Sequence, residues 1–205
     1  MALAPHSAGH RYGLASAPHV LEAYLDYVCP FSARLFKKLH TEIFPYINQK
    51  YPDKVQFIFR QQIQAWHPVS AIVNEAALAV EKLNPSKFYE FSAVLYEAQK
   101  QYFDEVTYTQ SRAQIHESLS KLAGSVGVSP EEFLKLLRVG DADNPRNYGN
   151  GVTAELKYHI KLGRQNGVHV SPTVLFDGLI VPNNDSDGWT YERFKEWLDK
   201  TLTKT

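Results

Sequence analysis

The sequence predicts an α/β fold, in which a central mixed sheet flanked by helices carries an inserted all-helical subdomain. Three observations predict it: a strand–helix–strand unit near the start, a long block of helical periodicity, and a final helix–hairpin–helix segment. We expect an N-terminal extension at 1–18, a βαβ half at 19–66, the helical insertion at 67–145 and an αββα half at 146–205.

The βαβ unit is built around the dipeptide Cys29-Pro30. Residues 19–27 are rich in β-branched and aromatic side chains, which favours a buried strand that ends just before this dipeptide. Proline is well suited to the first turn of a helix, and apolar residues then recur with a spacing of four, at Leu35, Leu39, Ile43 and Ile47. Residues 55–60 alternate as a second strand, and the intervening helix makes the two strands parallel.

The middle of the chain is helical and its last third is mixed. Four helical segments are expected in the insertion, at 74–83, 88–102, 112–123 and 130–138, the last beginning at the capping residue Ser129. A helix at 152–165 ends at Asn166-Gly167, and Asp177-Gly178 predicts a hairpin between 170–176 and 179–181. Thr190 is expected to cap a final helix.

Composition excludes several classes of function. Lys and Arg total 22 and so do Asp and Glu, so no net charge attracts nucleic acid or an anionic membrane. The first 17 residues lack the apolar block of a signal peptide, and no later stretch is long enough to span a membrane, which predicts a soluble cytoplasmic or other intracellular protein. The single cysteine excludes an internal disulfide. We expect a thiol-containing peptide or a small molecule as substrate; the sequence leaves the oligomeric state open.

Cys29 is the candidate nucleophile. It stands where a strand meets a helix N-terminus, and there the free N–H groups and the helix dipole favour a thiolate. The alternative is an inert, buried cysteine that packs as a small apolar side chain.

Two motifs carry a family resemblance. Residues 26–32, Asp-Tyr-Val-Cys-Pro-Phe-Ser, followed by a long amphipathic helix, resemble the active-site turn of the DsbA-like branch of the thioredoxin superfamily. Residues 167–174, Gly-Val-His-Val-Ser-Pro-Thr-Val, resemble the cis-proline loop that faces the cysteine in that superfamily. The resemblance implies a thioredoxin-like fold, a cis bond before Pro172, and substrate contacts at Pro30, Phe31, Val170, Ser171 and Pro172. An ordinary strand-edge proline is the alternative at Pro172.

The motif departs from the family pattern at Ser32, where redox-active members carry a second cysteine. Serine cannot form a disulfide, so dithiol turnover is excluded and a monothiol thiol–disulfide oxidoreductase or isomerase activity remains. Cys29 then forms a mixed disulfide that glutathione or another external thiol resolves. Ser32 is expected either to donate a hydrogen bond to the Cys29 thiolate or simply to begin the helix.

Two other functions stay open. The motif also resembles kappa-class glutathione transferases and 2-hydroxychromene-2-carboxylate isomerases, which carry Ser-Pro-Tyr-Ser-like turns and the same helical insertion. That resemblance implies that Ser186 and Asp187 hold the γ-glutamyl end of glutathione, although both residue types are common near any helix start. The third function is a redox-inactive thioredoxin-like binding protein, which the missing second cysteine suggests.

A cleft is expected beyond the second strand. Gln62, Trp66 and His67 follow that strand, where open α/β sheets bind ligands, although His67 also fits a cap or surface role. The aromatic residues of the insertion fit either core packing or a lid groove. No histidine spacing predicts a metal site, and no glycine-rich loop predicts a nucleotide site. Glutathione is therefore the one candidate cofactor.

Overall fold

The structure, a computed structural model, describes residues 3–140, 143–144, 146–181 and 190–203. Across these residues the sheet has five strands in the order β1-β3-β2-β4-β5. The strands are β1 (Arg11–Tyr12), β2 (His19–Leu25), β3 (Val55–Gln61), β4 (Thr173–Phe176) and β5 (Leu179–Ile180). β2 and β3 are parallel and the other three pairings are antiparallel, so the predicted mixed sheet is confirmed.

β2 is the central strand, and its last five residues are all buried. Ala23 lies opposite Phe59 of β3 on one side and Val174 of β4 on the other, and all three side chains are at most 1% exposed. A strand paired on both edges and covered on both faces reads as a nearly continuous apolar run, as residues 19–27 do. Cys29 lies four residues beyond the end of this rigid strand.

The helical segment that follows Cys29 is not one regular α-helix. It consists of α1 (Pro30–Lys38), a π-helical turn (Leu39–Ile43) and α2 (Phe44–Lys50). The four apolar residues spaced by four, Leu35, Leu39, Ile43 and Ile47, are all buried, which confirms the predicted stripe. Packing of this stripe on the sheet fixes the direction of α1 and therefore the position of its N-terminus.

The insertion is helical, as predicted, with boundaries that differ from the prediction by a few residues. Its helices are α3 (Ser70–Leu83), α4 (Phe88–Glu97), α5 (Asp104–Thr107), α6 (Arg112–Ser125) and α7 (Pro130–Leu137). The segment predicted as one helix over 88–102 is divided into α4 and a 3-10 turn at Gln99–Tyr102. The chain then returns to the sheet through α8 (Thr153–Gln165) and ends with α9 (Tyr191–Leu202).

The predicted caps and turn are present. The Ser129 hydroxyl accepts a hydrogen bond from the Glu132 N–H at 3.4 Å, and the Thr190 hydroxyl accepts one from the Arg193 N–H at 3.2 Å. Asp177 and Gly178 have φ angles of 50° and 84°, the left-handed conformation that a two-residue hairpin requires.

The N-terminal extension takes part in the fold, which the sequence does not reveal. Its two-residue strand β1 pairs with β3, and the 3-10 turn before it (Pro5–His10) packs against the insertion. The Gly9 N–H donates to Glu81 Oε1 at 2.8 Å, and a Cβ at Gly9 would lie 2.4 Å from the Pro85 carbonyl oxygen. A two-residue strand is too short to show a period, so the pattern could not predict it.

The aromatic residues of the insertion belong to the core. The side chains of Phe88, Phe91 and Tyr102 are at most 1% exposed, and Tyr96 is 8% exposed. These side chains belong to the same apolar cluster as the side chains of the sheet core. Core packing of the aromatic residues, and not a lid groove, is therefore observed. None of the helices in the described ranges is long and apolar enough to cross a membrane.

Candidate active site

Cys29 is the N-cap residue of α1. Its backbone is extended (φ −83°, ψ 119°), Pro30 occupies the first helical position, and the Ala33 N–H donates to the Cys29 carbonyl oxygen at 3.1 Å. The peptide dipoles of the first turn therefore point toward this residue. The side chain is only 5% exposed.

The loop that contains Pro172 faces Cys29, as the resemblance implied. The Ser171–Pro172 peptide bond is cis. The Cys29 thiol donates a weak hydrogen bond to the Ser171 carbonyl oxygen, with Sγ and O 3.5 Å apart. Pro172 is buried, whereas Val170 is 54% exposed, and the Thr173 hydroxyl holds the loop by donating to the Val170 carbonyl at 2.7 Å. Two segments about 140 residues apart in sequence thus meet at one sulfur.

The other residues of the turn differ in exposure. Ser32 is fully buried, and its hydroxyl oxygen accepts a hydrogen bond from the Asp26 N–H at 3.2 Å. Pro30 is exposed, and Phe31 is 47% exposed, with the Arg34 guanidinium carbon 4.7 Å from its ring centroid. Pro30 and the ring of Phe31 thus face solvent, while the buried Ser32 holds the turn through its hydrogen bond with the Asp26 N–H.

Asp26 is a site residue that the sequence analysis did not single out. It is fully buried at the end of β2, and one carboxylate oxygen accepts from the Val28 N–H at 3.1 Å. The other accepts from the Gln64 N–H at 3.1 Å and from the Ser70 hydroxyl at 2.9 Å. Burial raises the pKa of Asp26, and these hydrogen bonds oppose the rise. The carboxylate at the end of this otherwise largely apolar strand, close to Cys29, was the signal that could have identified it.

The insertion holds the cysteine turn in place. Gln99 is 6% exposed, and its amide donates to the Tyr27 carbonyl at 2.8 Å and to the Cys29 carbonyl at 3.0 Å. The Tyr96 hydroxyl donates to the Asp26 carbonyl at 3.4 Å. These contacts join residues about 70 positions apart, so no local signal could have predicted them. They make the geometry of the turn depend on the insertion.

The predicted cleft residues do not all lie together. His67 lines a cavity of about 150 Å³ beside the turn, together with Val28, Pro30, Phe103, Asp104 and Glu105. Trp66 is 62% exposed. Gln62 lies against α8, since a Cβ at Gly163 would be 2.7 Å from the Gln62 side-chain oxygen. Of the three, His67 is the one that the structure brings to the edge of the cysteine turn.

The glutathione-binding pair Ser186 and Asp187 lies outside the described residues. Within the described ranges, no group of three or more His, Cys, Asp or Glu side chains is arranged to hold a metal ion.

Several solved structures resemble this chain. A protein provisionally described as a protein-disulfide isomerase, from Pseudomonas syringae, is 24% identical with a TM-score of 0.72, and the match covers 93% of this chain and 98% of that one. Oxidised BdbD from Bacillus subtilis is 21% identical with a TM-score of 0.64, covering 96% and 94%. The thiol-disulfide exchange protein alpha-DsbA2 from Wolbachia pipientis is 17% identical with a TM-score of 0.64, covering 93% and 86%.

Sequence comparison gives the family of the chain. No curated protein sequence matches the chain. A family model described as thioredoxin matches residues 6–200, which includes the sheet, the cysteine turn, the insertion and the cis-proline loop. The solved structures share the same arrangement of a mixed sheet and flanking helices across nearly their whole lengths. The chain therefore belongs to the thioredoxin family and has a DsbA-like form of its fold.

Proposed function

We propose that the protein is a monothiol thiol–disulfide oxidoreductase that uses Cys29. One observation carries the proposal: the sulfur of an N-cap cysteine lies 3.5 Å from the carbonyl oxygen that precedes the cis-proline. That carbonyl belongs to the loop beside the sulfur, just before β4, where the backbone of a peptide substrate can pair in the manner of an added strand. Two of the named structural relatives are described as a protein-disulfide isomerase and a thiol-disulfide exchange protein, which supports the same kind of chemistry.

The reaction proceeds through two exchanges. The Cys29 thiolate attacks one sulfur of a substrate disulfide, which forms a mixed disulfide with Cys29 and releases the other substrate sulfur as a thiolate. Because Ser32 has no thiol, the glutathione thiolate completes the cycle from outside. When glutathione attacks Cys29 joined to a second glutathione, the products are oxidised glutathione and the free Cys29 thiolate. The net reaction with a glutathionylated substrate consumes one glutathione and yields one reduced substrate thiol.

The test compares Cys29 with the same thiol at another position. The double variant Cys29→Ser/Lys121→Cys carries one exposed cysteine on α6, outside the cysteine turn. We expect the wild-type protein to exchange with a glutathionylated peptide at least about tenfold faster than this variant, because thiolate position and orientation control the rate. Cys29→Ser alone should show no exchange. Equal rates for the two thiols would refute the proposal.

A redox-inactive binding protein is the second candidate function, and the 5% exposure of Cys29 favours it. A sulfur enclosed to that degree reacts slowly unless the surrounding loops open. Alkylation of Cys29 at neutral pH distinguishes the two, since an inert cysteine reacts no faster than a free model thiol.

A glutathione-dependent transferase or isomerase is a third proposal, which the motif resemblance supports. It requires glutathione to bind without forming a disulfide. Calorimetry with S-methylglutathione, which has no free thiol, tests this requirement. Absence of binding to wild-type protein would exclude this function and leave monothiol exchange unaffected.

A further inference from the structure

A second cavity lies in the helical insertion, apart from the cysteine turn. It has a volume of about 670 Å³ and opens between the first two turns of α6 and one face of α7. On the α7 side, residues 131, 134 and 135 follow the spacing of one side of a helix, and residue 138 follows the end of that helix. The volume lies in the range of about 300–1,000 Å³ that small-molecule sites occupy. None of the residues that form the cysteine turn lines it.

Positive charge gathers at one end of this cavity. α6 ends at Ser125 and α7 begins at Pro130, and this short connection makes the two helices antiparallel neighbours. Arg112 at the start of α6 and Arg138 just after α7 therefore lie at the same end, whereas Glu131 lies toward the other. Lys135 adds a third cation, one turn before Arg138.

These cations differ in how far they are already neutralised. Arg112 forms an ion pair with Glu75, with Nη2 and Oε2 2.5 Å apart. The Lys135 ammonium is 3.7 Å from a carboxylate oxygen of Glu132 on an exposed helix surface, where such pairs contribute little. Arg138 makes no hydrogen bond or ion pair with any described residue.

His116 also lines the cavity, and its side chain is 8% exposed. Burial, reinforced by the nearby Arg112, lowers the pKa of His116 to about 4, so the imidazole is neutral near pH 7. The positive charge of the lining therefore comes from its arginine and lysine side chains.

The rest of the lining is mainly aliphatic. Ala113, Leu134 and Leu137 lie between the two charged ends, and Glu117 and Glu131 are the acidic residues of the lining. The combination of an arginine end and an aliphatic floor matches a molecule with an anionic head and an apolar body.

We propose that this cavity binds an amphipathic organic anion, a small molecule whose carboxylate or sulfonate head lies at Arg112 and Arg138. Its apolar body lies over Leu134 and Leu137. The site is independent of Cys29, so the proposal holds whichever function the cysteine performs.

The test uses 8-anilinonaphthalene-1-sulfonate as the probe and N-phenyl-1-naphthylamine, the same molecule without the sulfonate, as its neutral counterpart. Arg138→Glu reverses the charge at the unpaired cation, and Lys121→Glu makes the same reversal on α6 outside the cavity. We expect saturable binding of the sulfonate, weakened about tenfold by Arg138→Glu and less than about twofold by Lys121→Glu, since tenfold corresponds to the loss of one charge-assisted contact. Binding of the neutral counterpart should not respond to either variant.

Amide chemical shifts locate the probe directly. Titration with the sulfonate should move the amide signals of residues 112–117 and 134–139. Three results would each overturn the proposal: no saturable binding to wild-type protein, equal affinity in Arg138→Glu, or shifts confined to the surface around Cys29.

Discussion

Replacing Ser32 with cysteine should convert this monothiol site into a dithiol site. Cys29 is the N-cap of α1 and Ser32 is the third helical residue, so regular helix geometry places their Cα atoms about 5 Å apart. This separation lies inside the range of roughly 4.4–6.8 Å that disulfides span. The position is fully buried, as suits a thiol that reacts only with its neighbour.

The expected energies follow from the same geometry. The bond closes a loop of only four residues, for which the loss of unfolded-state entropy gives about 2 kcal/mol of stabilisation. The substitution also removes the hydrogen bond from the Asp26 N–H to the serine hydroxyl, at a cost of about 1 kcal/mol. Ser32→Cys should therefore be about 1 kcal/mol less stable than wild type when reduced, and about 2 kcal/mol more stable when oxidised than when reduced.

Three measurements check this prediction. After mild oxidation, Ser32→Cys should contain no titratable thiol, and it should catalyse insulin reduction by dithiothreitol, which the wild-type protein should not. Ser120→Cys adds a buried thiol on α6, far from Cys29 in sequence, and is the matched control that should keep both thiols free. Two free thiols in oxidised Ser32→Cys, or an oxidised form no more stable than the reduced form, would show that the turn does not have the geometry described.

Three further predictions concern the support of the site. Because burial raises the pKa of Asp26 above its unfolded value of about 3.9, the native state holds this proton more tightly, and stability should fall as pH rises between the two values. The free energy of unfolding of wild type relative to Asp26→Asn should decrease there by up to about 1.4 kcal/mol per pH unit, and a flat difference would contradict the assignment. Gln99→Met removes the hydrogen bonds from Gln99 to the Tyr27 and Cys29 carbonyls, and it should lower the free energy of unfolding by about 1–3 kcal/mol in denaturant and slow thiol exchange at Cys29. An unchanged exchange rate would show that these two hydrogen bonds are not needed for the reactivity of Cys29. Phe59→Ala in the sheet core should cost about 3–5 kcal/mol by the same measurement, whereas Tyr108→Ala, at an 88% exposed position, should cost less than about 0.5 kcal/mol.

The sequence alone determined the elements whose signals are local. The strand before Cys29, the apolar stripe after it and the caps at Ser129 and Thr190 were all predicted, since each depends on residues within a few turns of one another. The hairpin at Asp177-Gly178 was predicted for the same reason, because its backbone conformation restricts the residue types. Element boundaries in the insertion were less accurate, because tertiary packing decides where a helix frays into a 3-10 turn.

The candidate site was predicted only in part. The motif resemblance located Cys29 and the loop at Pro172, and their contact at 3.5 Å is what the structure adds. The turn also rests on the buried carboxylate of Asp26 and on the amide of Gln99, which the sequence analysis did not single out.

Only the tertiary structure decided which distant residues meet. Gln99 reaches the cysteine turn across 70 residues, and the two-residue strand at Arg11 pairs with β3, yet neither leaves a period or motif in the sequence. The same holds for the cavity between α6 and α7. The residues that line it resemble those of an ordinary solvent-exposed helix surface, and a cavity forms only because the two helices pack side by side. Local patterns record the conformation of a few adjacent residues, whereas these contacts depend on how whole elements pack around the sheet.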